Sequence, residues 1–116
     1  MGVSVTARNQ ALDGITVDRV SLHSGDPGTD GSNLIAAGGK QAATFNAAGA
    51  VTDGERHLDA DVEFSGMEAS QSVTHFGAWL NAGDVYKCGG QITSGDVAAN
   101  AAGEYTLKGT DTKITA

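Results

Sequence analysis

Residues Val73-Thr74-His75-Phe76-Gly77-Ala78-Trp79-Leu80 form the most apolar strand candidate in the chain and hold its only tryptophan. They run directly into Asn81-Ala82-Gly83-Asp84, a set of turn residues that tolerate positive φ, and then into Val85 to Ile92. Two strand-like runs joined by so short a loop predict an antiparallel hairpin. In the first run Phe76, Ala78 and Leu80 share one face, and Val73, His75, Gly77 and Trp79 share the other. Gly89-Gly90 in the second run marks a bulge or a close backbone approach.

The same punctuation extends in both directions. Thr16 to His23 alternates, with Val20 and Leu22 on one face and Arg19 and Ser21 on the other. A long loop follows from Ser24 to Asn33, rich in Gly, Asp, Pro and Ser, then Leu34 to Ala37, a Gly38-Gly39 break, and Lys40 to Asn46. Arg56 to Ser65 is the cleanest alternation: Leu58, Ala60, Val62 and Phe64 face one way, and His57, Asp59, Asp61 and Glu63 the other. That is the pattern of an antiparallel strand with one wet face. Glu104 to Lys108 and Lys113 to Ala116 complete a set of about seven short strands. The expected architecture is all-β: a single-domain antiparallel β-sandwich or jelly-roll-like barrel over residues 16–116. Ahead of it, residues 1–15 form a short N-terminal helix or arm. The helix is read from Val3 to Ile15, with Thr6 as its cap, Gly14 at its end, and Val5, Leu12 and Ile15 as its apolar stripe. Some two turns of helix are marginal unaided, so this one either packs on the body or serves as an arm.

Composition narrows the function classes. The chain has 116 residues, 40% hydrophobic but only 5% aromatic, so its core must rest on aliphatic side chains with few large anchors. So thin a core suggests stability shared with a partner or with other copies. The net charge is −7, and its seven Lys and Arg residues are scattered, which disfavours nucleic acid. No apolar stretch approaches the length of a membrane span, and the N-terminus lacks the pattern of a signal peptide. Cys88 is the only cysteine, so no intramolecular disulfide forms, and it reads as a small buried hydrophobe.

Candidate chemistry is sparse. Asp59, Asp61 and Glu63 would lie along one strand face at roughly 7 Å intervals, a spacing able to share a hard cation. Alternation alone also produces such a face as a solvated exterior. Asp26-Pro27-Gly28-Thr29-Asp30-Gly31 resembles a calcium loop, but Gly28 stands where a ligand should be, and Ala37 where the bidentate Glu should be. It reads as a structured turn. His23, His57 and His75 form no zinc-helix pair, and Ser21 and Ser24 near His23 lack a nucleophile elbow. No phosphate-binding loop is present. Neither an enzyme nor a cofactor nor a metal is expected. Trp79 reads equally as a core plug or an interface anchor, and His75 as a satisfied structural residue behind the sheet.

The order of segments carries a family resemblance. A helical Thr-Ala-Arg-Asn-Gln-Ala-Leu-Asp start at Thr6 to Asp13 precedes the Ser21 to Asn33 strand and loop. An Ala-Thr-Phe strand follows at Ala43 to Phe45, and then Val73 to Trp79. This resembles small structural proteins of tailed-bacteriophage virions, regarded variously as head decoration proteins or as tail-fibre and minor tail components. The resemblance implies a non-enzymatic protein of the virion, made in the host cytoplasm. It would bind the outer surface of the capsid, with the major capsid protein and copies of itself, as a homotrimer, for partners. Val3, Val5 and Arg8 are then the expected shell or neighbour contacts. The alternative it implies is a receptor-binding tail module, using Trp79 with Asp26, Pro27 and Asp30 of the loop. Outside the resemblance, a small glycan-binding or metal-dependent enzyme domain is a third reading.

Overall fold

The protein is described by a computed structural model over residues 4–50, 54–92, 97–109 and 112–115. It is mostly β, with antiparallel pairing throughout and one short N-terminal helix. Helix α1 spans Val5–Asp13, and Ser4, not Thr6, caps it: the Ser4 hydroxyl accepts the Ala7 N–H at 3.1 Å. Gly14 closes the helix in the right-handed region (φ −74°), so the left-handed end expected of a glycine there is not used. Of the expected stripe only Leu12 is buried, while Val5 is exposed and Ile15 half-buried. One apolar contact is a weak dock for a short helix. Polar contacts supply the rest: Asp13 accepts the Ala48 N–H and Asn9 the Gly54 N–H, both at 2.8 Å.

Eight strands are present among the described residues: β1 (Arg19–His23), β2 (Lys40–Ala42), β3 (Glu55–His57), β4 (Val62–Phe64), β5 (His75–Leu80), β6 (Val85–Gln91), β7 (Tyr105–Leu107) and β8 (Lys113–Thr115). A four-stranded sheet has the order β2-β1-β5-β6, and two separate ladders pair β3 with β8 and β4 with β7. These ladders trace neither a closed barrel nor one clear sandwich. The β5–β6 hairpin forms where its turn residues place it, with Asp84 N–H on the Asn81 carbonyl and Asp84 itself at φ 53°. Its bulge falls opposite Ala78 and Trp79, where Lys87 is the extra residue, and not at Gly89-Gly90. Gly89 is instead the close approach: a Cβ there would come within 2.5 Å of the Phe76 carbonyl oxygen.

One expected strand is corrected. Arg56 to Ser65 is not one strand, because Glu55–His57 pairs with β8 and Val62–Phe64 with β7, and the chain bends between them at Asp59-Ala60. Leu34 to Ala37 makes only a single bridge, Leu34 to His23, before a 3-10 turn at Ala36–Gly38. The core collects Val20, Leu22, Phe76 and Ala78 from one face of the sheet with Leu58, Phe64, Tyr105, Leu107 and Ile114 from the two ladders. Burying each large aliphatic or aromatic side chain contributes roughly 1.5–3 kcal/mol. The opposite face of the sheet is not left wet. Ser21 and His23, like Val20 and Leu22, have no exposed surface.

Candidate functional site

What covers that second face is the segment from Ser24 to Asn33, folded back as a strap over β1, β5 and β6. Its neck is closed by the Ser24 N–H on the Asn33 carbonyl (3.1 Å) and the Ile35 N–H on the Leu22 carbonyl (2.9 Å). Inside the strap the Pro27 carbonyl accepts both the Gly31 and Ser32 N–H groups at 2.9 Å. The two aspartates hold the turn. Asp26 Oδ1 accepts the Gly28 N–H, and Asp30 Oδ1 accepts the Ser32 hydroxyl at 2.6 Å and its N–H at 3.2 Å. This hydrogen bonding from Ser32 holds the Asp30 carboxyl below the usual carboxylate range. Both carboxylates are therefore turn builders, the role such side chains fill in Asx motifs.

Beneath the strap lies a buried polar chain. Trp79 Nε1 donates to Ser21 Oγ at 2.7 Å, Ser21 Oγ lies 2.7 Å from His23 Nε2, and His23 Nδ1 lies 2.8 Å from the Ser32 carbonyl. A carbonyl only accepts, so Nδ1 carries a hydrogen, and the indole N–H only donates, so it occupies one lone pair of Ser21 Oγ. The arrangement that leaves no hydroxyl proton without an acceptor has Ser21 donating to an unprotonated Nε2, which makes His23 neutral. Burial holds its imidazole below the ordinary 6.5; the Ser32 carbonyl opposes that effect, and the nearby positive charges of His75 and Lys40 reinforce it. The register explains the assembly, since Ser21 pairs with Gly77, and His23 with His75. All three polar groups converge above Gly77, where a Cβ would stand 2.6 Å from His23 Nε2 and 2.8 Å from Ser21 Oγ.

Trp79 is 8% exposed and serves as an interior plug. Lys40 Nζ sits 3.8 Å from its ring centroid, Tyr86 meets it edge-on at 5.2 Å, and Gly31 lies against its rim. Gly31 has φ 83°, and any side chain there would strike the indole. Lys40 also reaches Asp84 at 2.7 Å, and Tyr86 donates to the Gly28 carbonyl at 3.3 Å. The Ser21–His23 distance is that of a nucleophile and its base. Here the hydroxyl is already an acceptor for Trp79 and sealed from solvent, so the pair joins strap to sheet.

The other sequence candidates are dispersed. Val3 lies outside the described residues. Val5 is exposed on the helix, and Arg8 is half-buried beside Gly54, its Nε without a hydrogen-bond partner among the described residues. Asp26 and Asp30 are exposed on the strap and Pro27 is buried under it. Asp59 and Asp61 sit at the bend between β3 and β4, lining an open groove of about 410 Å³ with Asp18, Arg19 and Thr44. Asp61 Oδ1 accepts the Gly109 N–H at 2.8 Å, and Asp18 Oδ1 accepts the Asn81 N–H at 2.8 Å. Among the described residues, no three metal-ligating side chains converge on one point. Millimolar calcium is therefore expected to leave the thermal midpoint within about 1 °C, and a rise of several degrees would assign a cation to this groove.

Glu55 is held below the usual carboxylate range by Lys113 across the β3–β8 ladder and then by His57 on its own strand, each 3.0 Å away. His75 Nδ1 lies 2.8 Å from the Thr74 hydroxyl. Burial pushes the Cys88 thiol up, against the opposing charge of Arg56. Among the described residues no helix is long and apolar enough to cross a membrane. Sequence reasoning noted Ser21 beside His23 but missed Lys40, Gly77 and Tyr86. Register alone brings them together, and only the hairpin reading of Val73 to Ile92 bore on it. No protein-family model, no curated protein and no solved structure matches the chain.

Proposed function

We propose that this chain is a non-enzymatic structural protein of a tailed-phage virion. Its place is the outer surface of the head, as a decoration protein bound to the major capsid protein and to copies of itself as a trimer. The observation that carries the reading is the union of two sequence segments. The resemblance rests chiefly on Ser21 to Asn33 and Val73 to Trp79, and these two stretches pack as one unit through Ser21, His23, Ser32 and Trp79. A rigid face of this kind suits a body whose work is adhesion. In the same reading the four-stranded sheet and the two ladders are the layers of a sandwich whose second layer is split.

Attachment would stabilise the shell by mass action, because surface buried across neighbouring subunits favours the assembled state. The exposed apolar side chains Val5, Leu34, Val85 and Val97 are available for such contacts. A receptor-binding tail module would need an aromatic on its surface, and Trp79 under the strap does not provide one; this favours the head. Quantitative mass spectrometry of intact virions tests the reading. A copy number comparable to that of the major shell subunit is expected. A few copies per particle would move the protein to the tail, and absence from the particle would end the proposal.

A further inference from the structure

We propose that the Ser24–Asn33 strap is an acid-released latch, held down by neutral His23 and lifted when that imidazole takes up a proton. The inference stands apart from the virion reading, because it rests only on the hydrogen-bond chain beneath the strap. In that chain the arrangement that gives every hydrogen an acceptor leaves His23 Nε2 unprotonated. With Nε2 protonated, Ser21 Oγ would face donors from both Trp79 and His23. Its own hydrogen would then have no acceptor in a site with no exposed surface. The Gly77 backbone closes one side of the three atoms, where even a methyl carbon would stand 2.6–3.1 Å from each of them, so a relieving water has no room on that side.

Among the described residues no carboxylate forms an ion pair with His23. Lys40 on β2 and His75 on β5 both oppose a positive charge there. From the strap, Asp30 is committed to Ser32, and Asp26 to Gly28. From β6, Tyr86 points at the strap carbonyl of Gly28. The charged imidazole must therefore reach water. β1 is paired on both sides by β2 and β5, and its far face is the apolar core. Among the described residues its remaining cover is the strap, attached to the sheet through the Ser32 carbonyl, the Gly28 carbonyl that accepts from Tyr86, and the two-bond neck.

The sign follows from linkage. His23 binds its proton less readily folded than unfolded, so its contribution is fully present above the unfolded value near 6.5. That contribution is lost as pH falls from there through the folded value. Asp30, held below the usual carboxylate range, stays ionised through that window and keeps the inside of the strap intact. The strap is expected to lift as a unit.

The experiment is a pH titration of the wild-type protein by NMR, from about pH 7.5 to about pH 4.5. It follows the His23 ring nitrogens, exchange of the Trp79 indole N–H and exchange of the Ser24 and Ile35 amides, with far-UV circular dichroism run in parallel. The expected result is one midpoint, below 6.5, shared by His23 titration and loss of protection at all three N–H groups, while the dichroism is unchanged. In His23→Gln, which has no group to titrate in this range, that midpoint should vanish. His57→Gln should leave it in place. Three results would overturn the proposal: His23 titrating while the indole and neck remain protected, His23 not titrating in this range, or all signals lost together with the dichroism.

Discussion

Gly77→Ala is expected to cost about 3 kcal/mol and to lower the thermal midpoint by roughly 10–15 °C. Gly77 is extended β5 backbone whose value lies in having no side chain. An added Cβ would stand 2.6 Å from His23 Nε2, 2.8 Å from Ser21 Oγ and 3.1 Å from Trp79 Nε1. None of the three can retreat cheaply. His23 is tied to the Ser32 carbonyl, and Trp79 is boxed by Lys40, Tyr86 and Gly31. The methyl must break at least one buried hydrogen bond, and a buried donor left without a partner costs about 1–3 kcal/mol beyond the overpacking itself. Chemical denaturation measures it. A loss below about 1 kcal/mol would mean the polar chain can shift sideways and is looser than its distances imply.

Arg56→Ala should come close behind, at about 3 kcal/mol, with loss of the small helical signal in the far-UV spectrum. Arg56 leaves β3 and reaches the C-terminal end of α1, where Nη1 donates to the Ile15 carbonyl at 2.7 Å and to the Leu12 carbonyl at 3.3 Å. Its Nε donates to the Asn46 carbonyl at 3.0 Å. A cation at a helix C-terminus is favourable in its own right. Arg56→Lys should recover little, because an ammonium cannot supply the fork that serves three carbonyls from one position. If Arg56→Ala keeps the helical signal, Leu12 and the Asn9 and Asp13 contacts suffice to dock α1.

The hairpin was legible because two signals coincided: alternation through Phe76, Ala78 and Leu80, and a turn at Asn81 to Asp84 that admits positive φ. The bend in Arg56 to Ser65 was not legible. Leu58, Ala60, Val62 and Phe64 keep a period of two whether they lie in one strand or across two, and nothing local says that β3 and β4 answer to different partners. The helix cap slipped because Ser4 and Thr6 are both good caps and residue type alone does not choose between them. Alternation put Ser21 on the face opposite Val20 and Leu22 but did not say what covers that face. A loop a few residues on supplied the cover, and no periodicity encodes where a loop will lie. The calcium-like Asp26 to Gly31 motif was correctly read as a turn, because its missing ligands are a matter of counting.

The two ladders set a timetable for folding. Glu55 finds its neighbour at Thr115 and Phe64 at Tyr105, so large stretches of chain must be corralled before either contact forms. The β5–β6 hairpin, closed by four residues, can assemble within microseconds. During synthesis the hairpin and strap therefore wait beside an unfinished hydrophobic cluster until Ile114 has emerged from the ribosome. A chain arrested before that point would leave Leu58 and Phe64 open to misassociation.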